Sequence, residues 1–271
     1  MSRLLQDKVA AITGGVTGIG RAIALEYRRQ GAKVAVNFLD DTASWEHAAS
    51  LRSEMQSISG DLDSCYYEFA GDISDPDVAR RFVTSTAERF GNLHVVVSNA
   101  GIARFHEFLS SPDDLIRDHV RVNIQGSYYV TRAAGQCMRD LGTRGSIIGM
   151  ASISGLTGSG ELVHYTLTKA AVLNLMQSSA VALGKYGIRC NALLPGTIHS
   201  QLNREDLGSE QRRRSVESRT CLGRIGEPDD VRTTDEPAVQ LCARIMLTEC
   251  PAHSSLRALP CSWRATCRNM W

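Results

Sequence analysis

Up to about residue 200 the chain alternates between two kinds of segment. Short apolar runs occur at Val9-Ala10-Ala11-Ile12, Lys33 to Phe38, Tyr66 to Ala70, His94 to Ser98, Ser146 to Met150 and Arg189 to Leu194. Near-continuous apolar runs of this length suit strands buried on both faces of a parallel sheet. Between them, Arg21 to Gln30 sets Ala22, Ile23 and Tyr27 on one helical face and Arg28 and Arg29 on the other, with Gly31 as a C-cap. Helices are also predicted over 44–57, 77–90 and 165–185, and over 112–138, where the helix bends or breaks near Gly126. Regular strand–helix alternation predicts right-handed crossovers and a sheet covered on both sides. The expected fold is α/β, a Rossmann-type doubly wound parallel sheet. No linker interrupts the first 200 residues, so residues 1–231 read as one domain.

The pattern then fails. All 23 glycines lie at or before Gly226, while the last thirty residues hold Cys242, Cys250, Cys261 and Cys267, half of the eight cysteines. Residues 232–271 have little periodicity and read as an atypical tail. Arg212-Arg213-Arg214 fits a solvated helix face near a substrate lid better than a phosphate patch.

Charge and targeting signals narrow the functional classes. A formal net charge of +1 gives no electrostatic reason to expect nucleic acid or an anionic membrane as partner. The start lacks a long apolar core and no run of 18 apolar residues occurs, so a cytoplasmic protein is expected. No CxxC pair occurs, and no metal site is expected.

The candidate chemistry begins at Thr13-Gly14-Gly15-Val16-Thr17-Gly18-Ile19-Gly20, which follows a predicted strand and opens a helix. Glycines there let the backbone turn tightly and approach a pyrophosphate, and the helix N-terminus offers unpaired N–H groups. Gly14, Thr17, Gly18, Ile19 and Gly20 are therefore candidate nucleotide contacts. Hydride transfer at an alcohol also needs a proton acceptor. A tyrosine serves if a neighbouring ammonium lowers its pKa. Tyr165 and Lys169 are four apart on a predicted helix and share a face. Ser152, just after the fifth strand, stands at the carboxyl edge of the sheet, where such folds bind ligands.

These motifs resemble the short-chain dehydrogenase/reductase family, from about residue 5 to about residue 231. The TGxxxGxG spacing and the Ser152, Tyr165, Lys169 set carry the resemblance. It implies that these three form a catalytic triad and that Asn123 completes a proton relay. It further implies that Asn99 and Gly101 form the turn after the fourth strand, that Asp72 contacts adenine, and that Pro195, Gly196 and Ile198 lie near the nicotinamide. Members end with a glycine-containing turn and a seventh strand, and nothing after Val231 resembles that.

The implied cofactor is NAD or NADP. Asn37-Phe38-Leu39-Asp40-Asp41 ends the second strand, with Phe38 where NAD-specific members usually carry aspartate. No basic residue lies nearby, so the reading leans to NAD and leaves NADP open; Asn37 is a candidate contact. Blocks such as Val97-Ser98-Asn99-Ala100-Gly101 and Ala182 to Ala192 resemble the L-rhamnose-oxidising branch of the family. That implies oxidation of a sugar's anomeric hydroxyl to a lactone. A sugar pocket needs several hydrogen-bonding groups, for which Ser154, His164, His199 and Asn203 are candidates beside Ser152 and Tyr165. Another sugar or alcohol dehydrogenase, a 3-ketoacyl carrier reductase and a catalytically silent nucleotide binder stay open as alternatives. The helices holding Asn123 and Tyr165 are expected to pair subunits into a dimer or tetramer.

Overall fold

A computed structural model describes residues 3–58, 60–204 and 206–232. The atypical tail beyond residue 232, and with it the expectation of a missing last strand, falls outside the described residues. The strands are β1 (Val9–Thr13), β2 (Lys33–Phe38), β3 (Tyr66–Ala70), β4 (Val95–Ser98), β5 (Ser146–Met150) and β6 (Arg189–Leu193). The helices are α1 (Gly18–Arg29), α2 (Thr42–Ile58), α3 (Pro76–Phe90), α4 (Asp113–His119), α5 (Ser127–Asp140), α6 (Val163–Leu183), α7 (Glu210–Arg219) and α8 (Pro228–Arg232). All strand pairs are parallel, in the order β3-β2-β1-β4-β5-β6.

Alternation along each strand builds two cores. Ala10 and Ile12 of β1, Val34 and Val36 of β2 and Val95 and Val97 of β4 pack with Ile23, Leu51 and Met55 of α1 and α2. Val9, Ala11, Ala35 and Val96 face the other way, onto Phe82, Val130, Met138 and Met176 of α3, α5 and α6. That division is the doubly wound arrangement expected from the pattern. The order also fixes where a ligand goes. The chain leaves β1 toward β2 and later returns to place β4 on β1's other side, and a crevice opens at the carboxyl ends where the winding reverses.

The long helix predicted over 112–138 is interrupted. Between α4 and α5, Val120–Gly126 forms a wide π-helical turn, broader than the expected bend at Gly126 and holding Asn123 at its middle. Such turns often mark functional sites in helices. The Arg212-Arg213-Arg214 run lies on α7, where Arg213 pairs with Glu217 and Arg214 with Glu210 at i,i+4 spacing. Arg212 reaches Glu161. This is the solvated helix face read from the sequence, and Val216 is its one buried residue.

Candidate active site

The glycine turn sits at the carboxyl end of β1. Gly14 has φ +60°, a left-handed conformation suited to glycine. A Cβ on Gly20 would lie 2.2 Å from the Gly14 carbonyl oxygen and 2.6 Å from the Asn99 amide nitrogen. The turn therefore folds flat against the start of α1. Thr17 caps that helix with extended backbone, its hydroxyl makes no capping bond, and no acid occupies the first helical turn. The N-terminal amides and their dipole thus face the opening. Asn99 braces the turn from the end of β4, donating to Thr13 O (2.9 Å) and Gly14 O (3.1 Å). The Thr13 hydroxyl in turn accepts from Asn99 N and Ala100 N.

Gly14, Thr17, Gly18, Ile19, Asn99 and Gly101 line a cleft of about 680 Å³. A glycine turn at a helix N-terminus with no acid in its first turn fits a dinucleotide pyrophosphate; Gly20 lies outside the cleft lining, where a side chain would strike the turn itself. Gly20→Ala is expected to weaken NAD(P)H binding at least tenfold and to cost about 1–3 kcal/mol of stability, the range for overpacking. Fluorescence titration and thermal melts check both.

The same cleft is lined by Ser152, Tyr165 and Lys169. Ser152 follows β5, and its Oγ accepts from Ser154 N at 3.1 Å. Tyr165 and Lys169 lie one turn apart on α6, both buried. The Lys169 ammonium donates to Met150 O (2.8 Å) and stands over the Tyr165 ring, 5.6 Å from its centroid. Behind them, Asn123 clamps Ile102: Oδ1 accepts from Ile102 N (2.8 Å) and Nδ2 donates to Ile102 O (2.9 Å). Asn123 Nδ2 also donates to the Thr168 hydroxyl (3.0 Å).

The electrostatics differ from the expected depressed tyrosine. Burial pushes the Tyr165 phenol up to about 12, and the hydrogen bond with Ser152 only pulls against that. Burial pushes Lys169 down to about 8. Burial is the dominant cause in both: it disfavours the phenolate and the ammonium alike, and at about 8 Lys169 still keeps its proton at neutral pH.

Gly101 opens the space between Asn123 and Lys169. A Cβ there would lie 3.1 Å from Asn123 Oδ1 and 3.4 Å from Lys169 Nζ. Gly101→Ala is expected to lower kcat about tenfold or more with little change in melting temperature, because it wedges these two groups apart; steady-state kinetics beside a thermal melt check it.

Of the remaining candidates, Pro195, Gly196, Ile198, Ser154 and Asn203 line the cleft. The Asn203 amide donates to Ile198 O at 2.8 Å. Asn37 does not line it: this buried amide donates to Phe69 O (3.2 Å) and Gly71 O (2.9 Å), joining β2 to the end of β3. Asp72 also lies outside the lining. Burial raises its pKa, but bonds from Ser74 and Arg121 outweigh this and hold the carboxyl below its usual range. Two sugar-pocket candidates are misplaced. His164 is buried and bonds the Arg104 carbonyl at 2.6 Å. His199 faces Glu227 at 3.6 Å and lines a separate cavity of about 300 Å³. At the end of β2, Asp40 accepts from Trp45 Nε1 (2.8 Å) and Asp41 from Ser44 N (2.7 Å), so Asp41 caps α2.

Sequence reasoning missed the walls. Ala103, Phe105, Thr157, Leu162, Val216 and Arg219 line the cleft. Val216, the lone apolar residue amid the charges of α7, was the available signal. Among the described residues no cluster of His, Cys, Asp or Glu has the makeup of a metal site. No described helix is long and apolar enough to cross a membrane.

Fold and cleft together define a Rossmann-type oxidoreductase that takes a nicotinamide nucleotide. The chain belongs to the short-chain dehydrogenase/reductase family. The family profile described as enoyl-(acyl carrier protein) reductase matches residues 14–236. The chain is 49% identical over 231 residues to an L-rhamnose-1-dehydrogenase of Scheffersomyces stipitis, covering 85% of this chain and 88% of that protein. It is 44% identical over 229 residues to an L-rhamnose 1-dehydrogenase (NAD(P)(+)) of a Sphingomonas strain, covering 84% and 87%. The crystal structure of a short-chain type dehydrogenase/reductase from Mycobacterium marinum superposes with a TM-score of 0.77 at 30% identity, covering 85% of this chain and 87% of that one.

Proposed function

We propose that this chain oxidises the anomeric hydroxyl of L-rhamnose to the lactone, with NAD+ or NADP+ as hydride acceptor. The observation that carries the reading is 49% identity to an L-rhamnose-1-dehydrogenase across 231 residues. The convergence of Ser152, Tyr165 and Lys169 on the cleft of the glycine turn supports it. The dinucleotide, held at Gly14, Thr17, Gly18 and Ile19, supplies a two-electron acceptor at its nicotinamide ring.

The chain's own residues handle the proton and the substrate oxygen. Ser152 donates a hydrogen bond that holds the sugar's anomeric oxygen beside Tyr165. Tyr165 accepts as the phenolate, its own proton first passing outward by way of Lys169. As the C1–H bond breaks and its hydride leaves to the nicotinamide acceptor, the hydroxyl proton passes to the Tyr165 oxygen and restores the phenol, and C1 and its oxygen form the lactone carbonyl. Lys169, near the phenol and titrating at about 8, stabilises the phenolate and moves the proton onward. Asn123 fixes the backbone at Ile102, between Gly101 and Ala103 of the cleft lining. Ser154 and Asn203 contact further sugar hydroxyls; His164 and His199 lie outside the cleft lining and take no such part.

This activity resides in residues 1–231, acting as one domain in the cytoplasm. Leu167 and Val181 of α6 and Tyr128 of α5 are exposed and support a homo-oligomer built on those helices; light scattering is expected to give a molar mass that is a multiple of the 29.6 kDa chain, and the mass of one chain contradicts it. The chemistry is tested with L-rhamnose deuterated at C1. Deuterium is expected in the reduced nicotinamide together with a lactone product. Deuterium retained at C1, or oxidation at another carbon, contradicts the reading.

A further inference from the structure

Residues 101–106, between β4 and α4, form one wall of the cleft without belonging to a helix or strand. Their roles alternate. Ala103 and Phe105 line the cleft, whereas Ile102, Arg104 and His106 do not. Those three are tied to the body of the fold. Asn123 bonds both backbone groups of Ile102. The Arg104 carbonyl accepts from His164 Nε2 at 2.6 Å, and its guanidinium meets Asp118 at 3.0 Å. His106 N donates to Glu161 O at 2.9 Å. The anchored residues 102, 104 and 106 alternate with 103 and 105, so fixing the even residues sets where the odd ones stand in the cleft wall.

His164 is the middle anchor. A carbonyl only accepts, so His164 Nε2 carries the proton. Its ring stands edge-on to His119, with centroids 4.5 Å apart, and His119 lies 6.5 Å from the Tyr165 ring. His119 is fully buried, donates from Nδ1 to Leu115 O at 2.7 Å, and leaves Nε2 buried without a partner. Two buried imidazoles cost more desolvation than two apolar rings would. Packing behind Tyr165 does not require them; the donor toward Arg104 requires one.

We infer that His164 is a positioning residue for the sugar side of the cleft, acting through the Arg104 carbonyl on the wall residues Ala103 and Phe105. The kinetic part of this inference rests on the sugar-oxidising reading.

The test compares His164→Phe, which keeps an aromatic ring and removes the donor, with His164→Gln, whose amide keeps one. His164→Phe is expected to raise KM for L-rhamnose about tenfold or more, to change kcat less, and to leave the Kd of NADH within about twofold. Amide exchange over residues 101–106 is expected to accelerate about tenfold or more. His164→Gln is expected to return both readouts to within about threefold of the unaltered chain. Unchanged exchange over 101–106 in His164→Phe, or a defect that His164→Gln does not relieve, overturns the assignment. If the phenylalanine variant does not fold, His164→Leu, which also has no side-chain donor, serves as the donor-removing variant under the same criteria. The exchange measurement needs no substrate. A chain that leaves L-rhamnose untouched therefore contradicts the substrate reading, while exchange still decides the positioning role.

Discussion

Tyr165→Phe is expected to lower kcat for sugar oxidation by roughly 10²–10⁴-fold, the range for removing a positioned proton acceptor. The substitution deletes one oxygen and keeps the ring in its place over Lys169. Ser152 loses a hydrogen-bond partner, which costs about 1 kcal/mol of stability at most. Affinity for the reduced nucleotide is expected to stay within about threefold, because Asn99 holds the glycine turn independently of Tyr165. Steady-state kinetics beside a nucleotide titration separate these effects. Equal losses of turnover and nucleotide binding would mean that the tyrosine organises the cleft and does not accept the proton.

Lys169→Met is expected to abolish turnover to a similar degree and yet to stabilise the fold. Burial lowers the lysine from its ordinary 10.5 to about 8, so holding the ammonium in place at neutral pH costs roughly 3 kcal/mol. Methionine avoids that cost but leaves the Met150 carbonyl without its donor, an offset of about 1–2 kcal/mol. The net expectation is a melting temperature a few degrees higher at pH 7. The pH dependence carries a matching sign. Between about 8 and 10.5 the unfolded chain holds a proton at this lysine that the folded chain has released, so stability rises with pH across that window. Below about 8 both states hold the proton and the dependence vanishes. Tyr165 acts oppositely at higher pH. Its folded value of about 12 exceeds the ordinary 10, so stability falls between those values. Thermal melts of both proteins across pH check this: the rising limb should vanish in Lys169→Met.

The sheet and its order of elements were legible because each strand is a short apolar run flanked by helices with one apolar face. The glycine turn was legible because local chemistry defines it: Gly14 needs its positive φ and Gly20 has no room for a side chain. Ser152, Tyr165 and Lys169 were legible as residue types at set spacings, but their electrostatics were not. Spacing places Lys169 on the face of Tyr165 and says nothing of burial or of the Met150 carbonyl that engages the ammonium. Asn37 and His164 show the opposite error. Proximity in sequence to site residues suggested ligand contacts, while the folded chain turns both side chains onto backbone carbonyls. The cleft walls were hidden for a related reason. Segment 101–106 has no periodic pattern, and its shape comes from partners as far along the chain as His164 and Glu161.

The most direct test mixes the purified chain with L-rhamnose and NAD+ or NADP+ and follows the absorbance of the reduced nicotinamide. The account predicts steady reduction that depends on the sugar and is lost in Tyr165→Phe. A folded chain that binds the nucleotide but shows no sugar-dependent reduction with either cofactor would contradict it.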